Sequence, residues 1–265
     1  MLRAFLQIGA WLPLSVLQLL AKFWGLYLYR FPTKAKLVTQ KNLATCFSAK
    51  TSAEIEKMTH ASLTNTASTI LEMGKSWIPP MANSLELVTE SEGEENFFAA
   101  TASEHGVILL APHIGNWEIF GFYLCEKLKS TWLYQPPESK LMDQFITKTR
   151  SRAGIEMAPA HRIGVSKVLA ALRRGEVVGI LPDQIPPAEG GRFVPFFGEP
   201  ALTMTLPSKL IQKTKAKVFC GFAQRLPNAR GYKIIVEEAI SDIYSEDLDE
   251  SVIALNMTIE KTIMK

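Results

Sequence analysis

The stretch "VILLAPHIGNWEIFG", residues 107–121, decides how the rest of the chain is read. From Val107 to Ala111 the chain is continuously apolar, and it then stops at Pro112. A strand covered on both faces has this pattern, because neither side of its pleat meets water. The aromatic-rich segment from Asn116 onward reads as a helix. A buried strand, a short loop and a helix in succession make the opening of a parallel βα unit. His113 then stands at the carboxyl end of the strand, and Glu118 lies in the first turn of the helix.

The same alternation continues on both sides. "LELVT" (85–89), "STWLY" (130–134), "EVVGILPDQ" (176–184), "KVFCGFAQ" (217–224) and "YKIIVEE" (232–238) are strand candidates. Residues 94–103, 116–128, 138–152, 164–175 and 207–214 read as helices. Gly175 follows Arg173 and Arg174 as a helix stop. Further upstream, Thr51 and Glu54 form a capping-box pattern for a helix running to about Trp77, which "PPMANS" (79–84) ends. This order predicts an α/β class: one domain with a mostly parallel central sheet flanked by helices. Ligands are expected at the carboxyl ends of the strands, where "APH" and "LPDQ" both fall.

With 265 residues and 47% hydrophobic content, the chain has enough apolar material for one full core. The net charge of +3 carries no nucleic-acid signature. Cys46, Cys125 and Cys220 are too few and too scattered for a disulfide framework or a zinc site. There is no HExxH or CxxC, and His60, His105 and His161 stand in unrelated polar contexts, so no metal is expected.

The charge is unevenly distributed. Residues 1–53 carry Arg3, Lys22, Arg30, Lys34, Lys36, Lys41 and Lys50, while the first carboxylate is Glu54. Ala4 to Ala21 is uncharged and apolar, at the short edge of a membrane span. It is followed by Phe23, Trp24, Tyr27 and Tyr29, which suit an interfacial belt. A membrane helix within residues 1–30, followed by a domain over 31–265, is the expectation. The basic excess would leave that domain in the cytoplasm. A signal peptide fits less well, since no small-residue cleavage site follows. An amphipathic helix packed on the protein is the other reading, because Gln7, Pro13 and Gln18 interrupt the run.

Five residues turn an ideal helix by about 500°, so His113 and Glu118 would diverge if both were helical. Pro112 and Gly115 instead place His113 on the loop. A bend there would bring the Glu118 carboxylate to one imidazole nitrogen and leave the other facing substrate, as in a general base oriented by a carboxylate. The chain has no GxSxG elbow and no cysteine beside a histidine, so the nucleophile would be the substrate's own hydroxyl. A histidine that caps the helix, with Glu118 favouring its N-terminus, fits the spacing equally well.

These residues resemble a known motif. "LLAPHIGNWEIFG" is similar to the H-x4-D/E motif of the glycerolipid acyltransferases, in the H-x-G-N-W-E form of the bacterial lipid A secondary acyltransferases. "YQPPESKLMDQFITKTRSRAGIEMAPA" (134–160) and "GEVVGILPDQIPPAEGGRFVPFFGEPALTMT" (175–205) resemble further blocks of that family, in order. Glu138-Ser139 depart from the Asn common in the first of these blocks. The chain's last residues, "NMTIEKTIMK", stop short of the Pro/Tyr/Trp and Arg-Phe-Lys-like ending usual in the family.

The resemblance implies transfer of a fatty acyl chain from an acyl carrier protein thioester to a hydroxyl of a phosphorylated lipid A precursor. It places the enzyme at the bacterial inner membrane, with no cofactor and no metal. His113 would be the base and Glu118 its orienting carboxylate. Arg150, and with it Arg152, would meet an anion where their helix ends at Gly154; without the resemblance, two arginines complementing a helix dipole would suffice. Asp183 with Gln184 would fix the acceptor or hold Arg150, a loop-capping aspartate being the alternative. Backbone N–H groups near Gly115 and Asn116 are candidates for the oxyanion. "FVPFFG" (193–198) fits an acyl groove or core packing. A lysophospholipid or glycolipid acceptor, a coenzyme A donor, a hydrolase and a non-catalytic membrane relative are the competing readings.

Overall fold

In the computed structural model, which describes residues 2–265, Val107–Leu110 is the strand β2 at the centre of a seven-stranded sheet. The other strands are β1 (Val88–Glu92), β3 (Ser130–Tyr134), β4 (Ile155–Pro159), β5 (Val177–Ile180), β8 (Lys217–Arg225) and β9 (Tyr232–Glu238). Their order is β1-β9-β8-β2-β5-β3-β4, and every neighbouring pair is parallel except β8 with β9. The expected mostly parallel α/β sheet is therefore present. β4 lies at one edge and is not marked by the sequence: short, and with a proline at its end, it lacks a strong strand signal. β6 (Gly191–Phe196) and β7 (Glu199–Met204) form a separate antiparallel hairpin.

All four residues of β2 are buried, and they alternate between two cores. Val107 and Leu109 join Phe97, Phe120, Trp132 and Val236 on one face. Ile108 and Leu110 join Val168, Val178, Leu210, Val218 and Leu255 on the other. The first face is covered by α6 (Glu94–Thr101), α7 (Trp117–Cys125) and α8 (Lys140–Ser151), the second by α9 (Arg162–Arg173), α10 (Leu206–Thr214) and α11 (Leu248–Ile263). Asp247 caps α11, accepting from the Asp249 and Glu250 N–H groups. Val252, Leu255 and Ile259 then recur at helical spacing on the buried side.

The N-terminal segment departs from expectation. Instead of one membrane helix there are α1 (Leu2–Trp11) and α2 (Leu14–Arg30), separated at Pro13. Proline lacks the N–H that a continuous helix needs and disfavours helical geometry at Leu12. No helix among the described residues is long and apolar enough to cross a membrane. Both helices pack against the long α4 (Ser52–Trp77), followed by the short α5 (Met81–Leu85); α3 (Lys34–Cys46) also lies against α4. Leu6, Leu14, Leu17 and Ala21 are buried there. Gly9 and Gly74 let α1 and α4 approach closely: a Cβ on Gly74 would lie 2.4 Å from the Leu6 carbonyl oxygen. Lys75 donates to the Ala10 carbonyl, an otherwise orphaned acceptor at the end of α1. The Thr51/Glu54 capping box of α4 is formed as expected.

One apolar surface remains open. Ile8, Trp11, Leu19, Phe23, Leu26 and Tyr27 on α1 and α2 are exposed. These helices reach the sheet's carboxyl edge through α4, whose Thr69 and Glu72 bond to Gly115 and Arg225, beyond β2 and at the end of β8.

Candidate active site

β2 and β5 are parallel neighbours, so the residues that follow them meet at the same edge of the sheet. Those residues are His113 and Asp183. The His113 ring Nδ1 lies 2.9 Å from Asp183 Oδ1, and the His113 backbone N–H donates to Oδ2 at 2.8 Å. One carboxylate thus holds both the ring and the main chain of the same histidine. Burial opposes the Asp183 charge, but the two bonds from His113 outweigh it and hold the carboxyl below its ordinary value. An ionised carboxylate only accepts, so the proton between them sits on Nδ1, and in the neutral ring this tautomer presents the Nε2 lone pair. The ring also packs edge-on against Trp117, 4.9 Å between centroids.

Glu118 does not hold His113. It is 5% exposed and forms a bidentate pair with Arg150, Nη2 donating to Oε1 at 2.5 Å and Nε to Oε2 at 3.2 Å. The reason is local. A tight turn joins the Ile114 N–H to the Pro112 carbonyl, and Gly115 then adopts φ +59°. Asn116 starts α7 by accepting from the Ile119 N–H, so Glu118 enters the first turn facing α8. Burial works against the Arg150 charge, and Glu118 more than offsets it, raising that guanidinium above its ordinary value. The spacing from His113 to Glu118 therefore gives each residue its own partner, Asp183 for the one and Arg150 for the other, rather than joining the two in one dyad.

A cavity of about 830 Å³ opens beside His113. Its polar wall includes Arg150, Gln135 and Gln184, and its apolar wall includes Leu133, Ile146, Val165, Ile180, Met204 and Leu206. Its size and apolar lining with a few convergent polar groups are those of a small-molecule site. Lys209, in the first turn of α10, also lines it.

The remaining sequence candidates fall elsewhere. Arg152 donates to the carbonyls of Trp77 and Pro79 at the end of α4, away from the cleft. Asn116 is buried as a helix cap, its amide donating to the Tyr232 hydroxyl. The Gly115 carbonyl accepts from Thr69 and Arg225, and the Asn116 N–H is spent on the Ala223 carbonyl. With the Ile114 N–H spent as well, the loop's donors around Gly115 are largely committed to structure. "FVPFFG" forms β6 and its turn: Phe193 is exposed, and Phe197 packs on Phe47 rather than in the cavity.

Residues 1–265 match the family described as bacterial lipid A biosynthesis acyltransferase. The chain belongs to this family. It is 26% identical to the lipid A biosynthesis palmitoleoyltransferase of Escherichia coli, across 96% of this chain and 82% of that one. It is 28% identical to the lipid A biosynthesis acyltransferase of Haemophilus influenzae, across 97% and 80% of the two chains. A shorter match, 27% identical over 59% of this chain and 54% of the relative, is to a phosphatidylinositol mannoside acyltransferase of Mycobacterium tuberculosis. The protein is thus an acyltransferase, and its conformity to the family spans the whole sheet as well as the His113 loop.

The Asp183 contact has a measurable consequence. A carboxyl whose folded value is depressed contributes stability above its unfolded value, about 3.9, and loses it as pH falls through the folded value. Wild type is expected to be more resistant to urea than Asp183→Asn at pH 6, with the difference shrinking below about pH 4. A difference that stays constant from pH 6 to pH 3 would show that the bonds to His113 do not depend on the Asp183 charge.

Proposed function

We propose that the protein transfers a fatty acyl chain from an acyl carrier protein thioester to a hydroxyl of a lipid A precursor, at the cytoplasmic face of the inner membrane. The observation that carries this reading is His113 fixed by Asp183, with Nε2 left to act beside an apolar cavity. Nε2 takes the proton from the acceptor hydroxyl as its oxygen attacks the thioester carbonyl. Asp183 stabilises the imidazolium that forms. Collapse of the tetrahedral intermediate breaks the carbon–sulfur bond, and the imidazolium returns its proton to the departing thiolate. The acyl chain occupies the cavity between Ile146 and Met204. Glu118 engages Nε and Nη2 of Arg150, which leaves Nη1 as a donor for the acceptor's phosphate or the oxyanion.

The match to a phosphatidylinositol mannoside acyltransferase supports a second reading, a different glycolipid acceptor. A transfer assay decides between them, with carrier-protein and coenzyme A thioesters as donors. Acceptors are lipid A precursor, a phosphoinositide glycolipid and a lysophospholipid. Turnover with carrier-protein donor and lipid A precursor at least tenfold above every other pair is expected. Equal turnover with lysophospholipid would overturn the lipid A assignment.

Attachment is proposed to be interfacial rather than spanning. The exposed face of α1 and α2 offers apolar anchors, and residues 1–53 supply cations with no carboxylate. Each basic residue near an anionic surface contributes about 1 kcal/mol. Wild type is expected to float with vesicles containing anionic lipid and to be partly released by high salt. Trp11→Glu with Phe23→Glu should abolish flotation while leaving the thermal transition unchanged, since both side chains are exposed. Undiminished flotation of that variant would place attachment elsewhere.

A further inference from the structure

We propose that Arg225 and Glu72 are positioning residues of the acyl-transfer site, a buried ion pair that fixes the Gly115 carbonyl and through it the loop bearing His113. The inference rests on the reading of His113 as the base. No motif marks either residue. Glu72 lies near the C-terminal end of α4 and Arg225 at the last position of β8. Their side chains are 0% and 11% exposed.

Arg225 makes contacts with three partners at once. Its Nε donates to Glu72 Oε2 at 2.7 Å, and its Nη2 donates to Thr69 Oγ1 at 2.5 Å and to the Gly115 carbonyl at 3.2 Å. The Thr69 hydroxyl has a single proton, with the Gly115 carbonyl at 3.1 Å and the Asn65 carbonyl at 3.0 Å within its reach. Gly115 itself has no freedom to shift toward β8. It bridges Ala223, and even a Cβ there would lie 2.0 Å from the Ala223 carbonyl oxygen. The next residue, Asn116, is held by its N–H on Ala223 and by its side chain between Ser76 and Tyr232. The His113 loop is thus gripped from behind by α4, β8 and β9, while Asp183 holds it from the front.

A buried ion pair is a poor source of net stability compared with apolar packing of the same volume. Its advantage here is direction. A planar guanidinium presents donors at fixed angles, so a single side chain can tie a helix, a strand end and a loop carbonyl together. An ammonium at the same place has no fixed fork. Loss of the pair would let Gly115 relax toward other backbone angles, and the His113 ring, two residues away, would leave the Asp183 carboxylate.

The test uses the full chain in detergent with the acyl-transfer assay, together with nitrogen-15 spectra of the histidine rings. The His113 signal is identified by its loss in His113→Ala. Glu72→Gln combined with Arg225→Met removes both charges together, and Thr69→Val removes one hydroxyl and leaves the ion pair. In the double variant kcat is expected to fall tenfold or more, with KM for both substrates within threefold. The hydrogen-bonded Nδ1 signal of His113 should shift or broaden. Arg225→Lys should restore part of kcat, and Thr69→Val should lie between it and wild type. If the double variant does not fold, Thr69→Val carries the test, with a loss of threefold or more in kcat and the same spectral change expected. Folded variants with kcat within twofold of wild type and an unchanged His113 signal would overturn the proposal. Should His113→Ala itself retain transfer, the reading of His113 as base fails. The ring spectrum then still decides whether Arg225 and Glu72 hold the loop.

Discussion

His113→Ala is expected to lower acyl transfer by about 10²–10⁴-fold, the usual range for loss of a general base. The ring is partly exposed at the cleft, with 29% of its side chain accessible, so its removal opens no cavity in either core. The variant should therefore fold and keep its thermal transition close to that of wild type. Asp183→Asn is expected to be nearly as damaging. A neutral amide can present its N–H to Nδ1 and drive the ring into the tautomer whose Nε2 is protonated, and it cannot stabilise the imidazolium. Its effect should fall on kcat more than on KM, because the imidazolium exists only once proton transfer has begun. Steady-state kinetics of the two variants and their combination are the measurement. The double variant should be scarcely worse than His113→Ala alone, since the two residues act as a unit. Transfer within a few-fold of wild type in folded His113→Ala would end the assignment of His113 as base.

Why the sequence points to His113 but misassigns its carboxylate is a matter of which contacts are local. The strand before His113, the helix after it and the cap at Asn116 are determined by residues within a few positions, and they can be read from periodicity and punctuation. The same holds for the Thr51/Glu54 box and for the helix it opens. The partner of the His113 ring is 70 positions away and depends on β2 lying beside β5, a fact of sheet order that no local pattern carries. The sequence shows Asp183 as a carboxylate at a strand end but not which residue it faces. Arg225 and Glu72 show the limit more sharply, since they meet across 153 positions. The N-terminal segment errs differently. Its composition suits a membrane, and only the single residue Pro13 converts one long helix into two that lie on α4.

Arg150→Met is expected to cost about 3–5 kcal/mol of stability, because it strands the Glu118 carboxylate in a site that is 5% exposed. Glu118→Gln should cost a comparable amount by leaving the Arg150 guanidinium without its counter-charge. Neither single variant separates stability from catalysis. The combination Glu118→Leu with Arg150→Met does, since replacing a whole buried pair by apolar groups is often close to neutral. Chemical denaturation of the double variant should therefore return toward wild type, while acyl transfer should not. Arg150 lines the cavity, and an arginine–phosphate contact is charge-assisted. The loss in the double variant should consequently be larger with a phosphorylated acceptor than with its dephosphorylated counterpart. Equal losses on the two acceptors would reduce Arg150 to a wall of the cleft. A stable double variant that transfers acyl chains at the wild-type rate would show that the Glu118–Arg150 pair serves packing alone, despite its place within the H-x4-E motif.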